Sequence, residues 1–499
     1  MVDTRKRFEA VETLIERGKY FTINRARQYG KTTTLFMIWR RLSDRYLVLP
    51  LSFEGLGDSA FVSEEAFVNT FARMMGNYLN SLTQDKVEVS IWEKFSAKTF
   101  DELELTITEF CRKCSKPVVM TIDEVDKSSD NQLFLNFLGM MRNMYLRRDI
   151  KGMDYTFHSV ILAGVYDVKN LKLKIRPEAE QKYNSPWNIA ADFKVDMTFH
   201  PEEIAQMLTD YENDVHTGMD IKTISEEIYK YTFGYPFLVS KLCKVIDEEL
   251  GQDWTVEGVQ NATKQTILEK NTLFTSMTKN IENYPELKRF IYAISINGDV
   301  VTYDANNPVM DFATMFSIIK CDANRKVRIH NIIFEEVLNN YFIAERTIAD
   351  LGRQRFEPNY VHDGQLDMEL VLTRFADLMH EEYRESTVPF LEREGRLLFL
   401  TFLKPVINGT GFYYIEPQTR NNNRMDLVVT YGRKEFVVEL KIWRGEKYEE
   451  RGRDQLAGYL ATRGLDEGYL VTFDFSKNKM QTEPHWTDHN GKRIFEVII

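Results

Sequence analysis

Residues 24 to 33 read NRARQYGKTT. Gly30, Lys31 and Thr32 close a phosphate-binding loop, but the position five residues before Gly30, where the general pattern asks for glycine, is Arg25. The stretch before the loop, YFTIN, alternates apolar and β-branched residues as a strand does. The stretch after it, TTTLFMIWRRLS, has apolar residues at helical spacing and ends in basic residues, as a helix C-terminus favours. Strand, Gly-Lys-Thr and helix in this order are the context a phosphate loop requires. Backbone N–H groups at the helix start would hold phosphates, Lys31 would reach the β and γ phosphates, and Thr32, followed by Thr33, would bring a hydroxyl to magnesium.

A Gly-Lys-Thr tripeptide arises often by chance, so the loop needs a partner. The apolar run KPVVMTIDEVDK, residues 116 to 127, closes on Asp123 and Glu124. Asp123 would hold magnesium through water and Glu124 would polarise the attacking water. The plainer alternative is that the two acids merely end a strand. A helix-like segment (131 to 148) and a further strand, SVILAGVYD (159 to 167), continue a β-α alternation that predicts an α/β fold, a parallel sheet wrapped by helices. Gly30, Asp123 and Asp167 would then lie at carboxyl ends of strands, where such sheets bind phosphates.

These segments, RARQYGKTTTL, VVMTIDEVDK, ILAGVYDVKNLKLKI and SPWNIAADFKV, together resemble the AAA-ATPase-like proteins found widely in bacteria, relatives of the signal-transduction NTPases. The resemblance covers most of the first 240 residues. That family commonly writes its loop Arg-x-Arg-x-Tyr/Phe-Gly-Lys, so Arg25 departs from the general pattern and not from the family's. The resemblance implies ATP with magnesium as cofactors. Arg25 and Arg27 are then phosphate contacts or, on the alternative, solvated surface arginines, and Arg176 is a candidate arginine finger.

The middle of the chain opens with HPEEIAQMLTDYE at about 201. EEIYKYTFGYPFLVSKLCKVI follows, with Gly234 and Pro236 between two helix-like stretches. The second resembles the Gly-x-Pro element of signal-transduction NTPases, which lies in their helical lid. ELKRFIYAISIN and VRIHNIIFEEVLNNYF resemble a winged-helix segment. It has no marked basic run, so inter-domain packing is the role expected of it.

Composition fits a globular protein: 499 residues, 43% apolar and 28% charged, enough for several domains. Net charge is −11, which excludes a global basic field for nucleic acid or an anionic membrane. The charged start is no secretory signal and the longest apolar runs are too short for a bilayer, so a cytoplasmic location without membrane partners is expected. Four cysteines make no disulfide framework, and Cys111 with Cys114 is a lone C-x-x-C expected to be structural.

After a polar, glycine- and proline-broken stretch (351 to 368) come two helical segments. Three strand-like segments, GFYYIEPQ, RMDLVVTYG and KEFVVELKIW, follow, then helix ERGRDQLAGYLA and strand EGYLVTFDF. Period-two alternation sets Glu439 and Lys441 on one face of a strand. If the neighbouring strand holds Asp426 opposite, three charges converge on one edge of a sheet. Paired carboxylates can hold magnesium or manganese, and a lysine beside them can orient or deprotonate a nucleophile. The alternative is a salt-bridge ladder on a solvated face.

Asp-x(12)-Glu-x-Lys with RMDLVV, FVVELKIW and RDQLAGYL resembles the PD-(D/E)XK nuclease superfamily over roughly 370 to 475. Met425 stands where that superfamily's leading proline would be. The resemblance implies Gln455 in the site and Glu394 as a further metal contact. Residues 420 to 453 hold nine Lys and Arg against six acids, a local cationic strip suited to a phosphodiester substrate. Trp443 would stack on a base or belong to the core.

The expected organisation is a P-loop AAA-like core (1 to 200), a helical lid (201 to 280), a winged-helix-like segment (281 to 350), a linker (351 to 368) and a small restriction-endonuclease-like domain (369 to 499). The expected function is an ATP-regulated, metal-dependent nuclease acting on DNA rather than RNA, as a monomer or homo-oligomer. The competing reading is a nucleotide-sensing switch whose nuclease-like domain binds nucleic acid or a partner without cutting.

Overall fold

The computed structural model describes residues 5–82, 86–125, 131–149, 155–165, 187, 189–191, 193, 195–296, 299–349, 360–362, 365–383, 392–407, 411–416, 426–432, 434–443, 445–474 and 483–499. Asp167 and Arg176 lie outside these. Glu394 and Asp426 are placed by their backbone, and their side chains lie outside the description. The chain divides into two compact units. The first comprises Met1–Ser225, Gly234–Ser240 and Met315–Ser317, and the second Glu226–Phe233, Lys241–Thr314 and Ile318–Ile499.

The first unit begins with α1 (Arg5–Glu16), β1 (Phe21–Asn24), α2 (Lys31–Leu42) and β2 (Leu47–Ser52). Then come α3 (Glu64–Leu82), α4 (Lys86–Glu93), α5 (Phe100–Lys113), β3 (Val118–Asp123), α6 (Gln132–Asp149), β4 (Ser159–Gly164) and α7 (Pro201–Val215). The four strands are all parallel in the order β1-β4-β3-β2, and a lone parallel bridge from Phe21 to Ala191 extends the sheet past β1. β4 therefore lies between the strand that enters the phosphate loop and the strand that ends on Asp123. β3 and β4 are buried on both faces, as their uninterrupted apolar runs require. β2 carries Pro50, which cannot donate to a ladder, and it sits at the sheet edge where that is tolerated. Phe53, Phe67, Phe71, Phe110, Phe134 and Phe137 fill the core on one side of the sheet, with Cys111 and Cys114 packed against it as free thiols.

The remaining helices are α8 (Ile221–Thr232), α9 (Pro236–Glu248), α10 (Val256–Leu268), α11 (Thr272–Asn283), α12 (Pro285–Ser295), α13 (Pro308–Met315), α14 (Ile332–Ala349), α15 (Met368–Tyr383), α16 (Glu392–Ile407) and α17 (Glu446–Arg463). His200 and Glu203 form a capping box at the start of α7, with Pro201 at the first helical position. The stretch VRIHNIIFEEVLNNYF is not helical throughout. β5 (Ile319–Cys321) and β6 (Val327–Ile329) make a hairpin, and the helix starts only at Ile332, because the Asn331 side chain accepts the Phe334 N–H and caps it. Within the second unit α14 packs on α16 and on the first strand of the large sheet.

Gly234, between α8 and α9, has φ +69°, and a Cβ there would lie 1.9 Å from the carbonyl oxygen of Phe199, whose N–H donates to the Gly234 carbonyl at 2.8 Å. No side chain fits without moving backbone. Gly234→Ala is expected to cost about 3 kcal/mol or more of unfolding free energy, a loss that urea denaturation would read directly. An unchanged midpoint would mean that this turn is not held as described.

The carboxyl-terminal sheet follows a two-residue hairpin of β7 (Val361–His362) and β8 (Gln365–Leu366). It comprises β9 (Gly411–Glu416), β10 (Asp426–Tyr431), β11 (Lys434–Ile442), β12 (Glu467–Phe473), β13 (His485–His489) and β14 (Lys492–Ile498), in the order β13-β14-β12-β11-β10-β9. β10 runs antiparallel to both of its neighbours, β9 and β11, whereas β12 joins β11 in parallel after the crossover helix α17. Val428, Val437, Leu456, Leu460, Leu470 and Ile494 form the core between this sheet and α17. Among the described residues no helix is long and apolar enough to cross a membrane.

Candidate functional site

The loop between β1 and α2 is held in place by groups that sequence reasoning had marked for other work. Arg25 donates its N–H to the Gly164 carbonyl at the end of β4. Its guanidinium donates to the carbonyls of Asn24 and Val195, both at 2.7 Å, and lies 5.3 Å from the centroid of the Phe193 ring. The residue that replaces the first glycine thus braces the loop against the segment before α7. Arg27 is exposed, and its carbonyl accepts the Tyr235 hydroxyl at 2.6 Å. Tyr235 is fully buried, and its ring meets that of Tyr29 edge-on at 4.6 Å. Sequence reasoning marked Gly234 and Pro236 and passed over this tyrosine between them, although a large aromatic inside a Gly-x-Pro turn was the available signal.

Gly30 adopts the left-handed conformation, φ 79° and ψ 16°, immediately before α2 begins at Lys31. Lys31 is 7% exposed, and its ammonium donates to the carbonyls of Arg25 and Ala26, both at 3.0 Å. The chain wraps around the lysine and sets the charge over the loop at the positive end of a helix. Thr32 and Thr33 are exposed on the first turn. The Thr32 hydroxyl donates to Asp123 Oδ2 at 2.6 Å, so the two predicted magnesium ligands meet across the ends of α2 and β3. Glu124 takes φ 56° and its N–H donates to the other Asp123 oxygen at 2.9 Å. A non-glycine residue in that conformation is strained, and such strain gathers where a side chain must be aimed.

In the carboxyl-terminal sheet Glu439 and Lys441 are 1% and 2% exposed, so they do not form a solvated ladder. Lys441 Nζ lies 2.8 Å from Glu439 Oε1 and donates to Gln455 Oε1 on α17, also at 2.8 Å. A buried pair must offset a desolvation cost of several kcal/mol per ion, which apolar residues in the same places would not incur. Room for the lysine comes from Gly452 on α17, where a Cβ would stand 3.1 Å from both Cδ and Nζ of Lys441. Sequence reasoning missed Gly452, and no motif pointed to it. Leu427 pairs with Val438 in the β10–β11 ladder, and the next step of that register sets position 426 opposite 439. Glu394 falls in the first turn of α16. Among the described residues no three His, Cys, Asp or Glu side chains form a metal-holding group. Trp443 is half-buried just past β11, and its backbone N–H donates to the Phe473 carbonyl.

Comparison with known proteins bears on the first of these sites. A family model described as AAA-like domain matches residues 4–308. Among solved structures, a Walker-type ATPase of Pyrococcus abyssi is similar over 68% of this chain and 96% of its own, at 14% identity and a TM-score of 0.45. The ORC2 protein of Aeropyrum pernix, solved as ADPNP–ADP complexes, is similar over 70% and 96%, at 12% identity and 0.41. The RuvB Holliday junction branch migration motor of Thermotoga maritima is similar over 65% and 90%, at 14% identity and 0.33. No curated protein matches the chain.

Proposed function

Because the chain belongs to the AAA-like domain family, we propose that its amino-terminal part binds and hydrolyses ATP with magnesium, and that this cycle governs a metal-dependent PD-(D/E)XK nuclease in its carboxyl-terminal part that cuts DNA. The ATPase half is supported by Lys31 held over the loop and by the Thr32–Asp123 contact. Those two residues suit a hard cation bound through oxygen. Magnesium there would neutralise charge on the β and γ phosphates. Lys31 and the loop N–H groups orient the phosphates, Arg25 and Arg27 add positive charge beside them, and Glu124 accepts a proton from the attacking water.

The nuclease half is carried by one observation, the buried Glu439–Lys441–Gln455 cluster. A fold that needed only stability would do as well with apolar residues in these places. Glu439, with Asp426 and Glu394, would hold the magnesium or manganese, whose role is to stabilise charge building on the phosphodiester. Lys441 orients the attacking water and Gln455 fixes the lysine.

The test is incubation of supercoiled plasmid with manganese, with and without ATP, using the wild-type protein, Lys441→Ala and Lys31→Ala. Nicking or linearisation by the wild type, absent in a folded Lys441→Ala and changed in its ATP response by Lys31→Ala, is the expected pattern. No cleavage in any lane, together with metal binding that Asp426→Ala leaves unaltered, would return the chain to the non-cutting switch.

A further inference from the structure

The first unit contains a cavity of about 530 Å³ that shares Thr32 and Asp123 with the proposed cation site and otherwise lies outside the proposed function. Its floor is Pro50, Leu51 and Ser52 of β2 with Thr121 and Asp123 of β3. One wall is a single stripe of α2, Thr32, Leu35, Phe36 and Trp39, spaced i, i+3, i+4 and i+7 so that all four side chains share a face. The other wall is the end of α3, with Tyr78, Ser81 and Leu82. Phe36 is 55% exposed and Leu82 39%, which puts apolar surface at the rim as well as inside.

Volume, lining and polarity select the kind of occupant. The size lies within the range of small-molecule sites and is too small for a helix or a folded partner. Three aromatic side chains, Phe36, Trp39 and Tyr78, favour a flat apolar molecule, and the Phe36 and Trp39 rings stand 5.5 Å apart. One hydrogen-bonding group within is unmatched: Thr121 is fully buried, and its Oγ1 has no hydrogen-bond partner among the described residues. A buried hydroxyl left so is costly, and a ligand that matches it recovers that cost. Asp123 is the one charged lining residue among the described residues, and its two oxygens already accept the Thr32 hydroxyl and the Glu124 N–H. Among the described residues no cation lines the space, so a phosphate or carboxylate ligand is disfavoured.

We propose that this cavity binds an uncharged aromatic small molecule bearing one hydrogen-bonding group, and that its occupancy is linked to magnesium and nucleotide through Thr32 and Asp123, which face both sites. Binding at the cavity stands on its own geometry; the linkage rests on the nucleotide reading above. Because linkage is reciprocal, a molecule in the cavity changes affinity for magnesium–ATP by the same factor as magnesium–ATP changes affinity for it.

The experiment titrates the full chain with N-phenyl-1-naphthylamine, an uncharged aromatic amine whose emission rises in apolar surroundings. One saturable site per chain is expected. Ser81→Trp, introduced from an exposed position, fills the cavity and should weaken the amine by at least about tenfold, while ATP binding is retained as the control for folding. Thr121→Val removes one hydroxyl at constant shape and should weaken it by roughly fivefold. No saturable binding, or binding indifferent to Ser81→Trp, overturns the site. In wild-type protein separately shown to bind ATP, an amine affinity unmoved by magnesium–ATP overturns the linkage alone.

Discussion

Lys31→Ala is expected to raise the dissociation constant for ATP by about 100-fold, the effect of losing one charge-assisted contact worth roughly 2–3 kcal/mol. The position leaves little room for substitution. Lys31 is almost fully buried, and its ammonium meets two carbonyls of its own loop, those of Arg25 and Ala26. The lysine therefore shapes the loop as well as supplying its charge. Lys31→Arg is expected to fail nearly as badly, because a planar guanidinium cannot occupy the compact position of an ammonium between those carbonyls. Calorimetric titration of ATP in magnesium buffer reads both variants. An affinity within threefold of wild type for Lys31→Ala would remove the loop from nucleotide binding and leave the lysine a purely structural role.

How far the sequence disclosed this site depends on which residue is asked about. The placement of Gly30, Lys31, Thr32 and Asp123 was legible because a Gly-Lys-Thr turn before a helix and an acid closing an apolar strand have local signatures, and the fold brings Thr32 and Asp123 together. That β1, β3 and β4 run parallel followed from apolar runs alternating with helices, whereas their order in the sheet did not. β2 was not recognised, since Pro50 interrupts its pattern, and only its place at the sheet edge makes the proline acceptable. The role of Arg25 was illegible for a different reason. A guanidinium beside a phosphate loop suggests a phosphate ligand, and nothing local announces that carbonyls at Asn24 and Val195, the latter 170 residues away, take its N–H groups. Tyr235 is the same kind of case, reaching Arg27 across 208 residues. Contacts between distant segments have no period and no motif. In the carboxyl-terminal part the charge pattern of β11 was plain, whereas its burial was not, and burial is what excludes the solvated ladder. The hairpin of β13 and β14 was missed because HWTDH is too polar to read as a strand.

Gly452→Val is expected to reduce plasmid cleavage by about 100-fold or more, the size of effect that a displacement near 1 Å at a reacting group can have. In α17 a mid-helix glycine costs about 1 kcal/mol relative to alanine and so calls for a reason. The reason is the lysine. A Cβ at 452 would meet Lys441 Cδ and Nζ at 3.1 Å and Cε at 3.2 Å, and the γ-methyls of valine would enter the space that the ammonium holds between Glu439 and Gln455. Gly452→Ala grades the effect, because a flexible lysine tip can yield a few tenths of an ångström; its activity should fall only severalfold while helix propensity rises. The pair separates chemistry from folding. If Lys441 serves only to neutralise Glu439, valine should lower the melting temperature and leave the cleavage rate of the folded fraction unchanged. If the lysine orients the attacking water, the rate of the folded fraction falls steeply from glycine through alanine to valine. A fall in stability without that fall in rate would remove Lys441 from the reacting group.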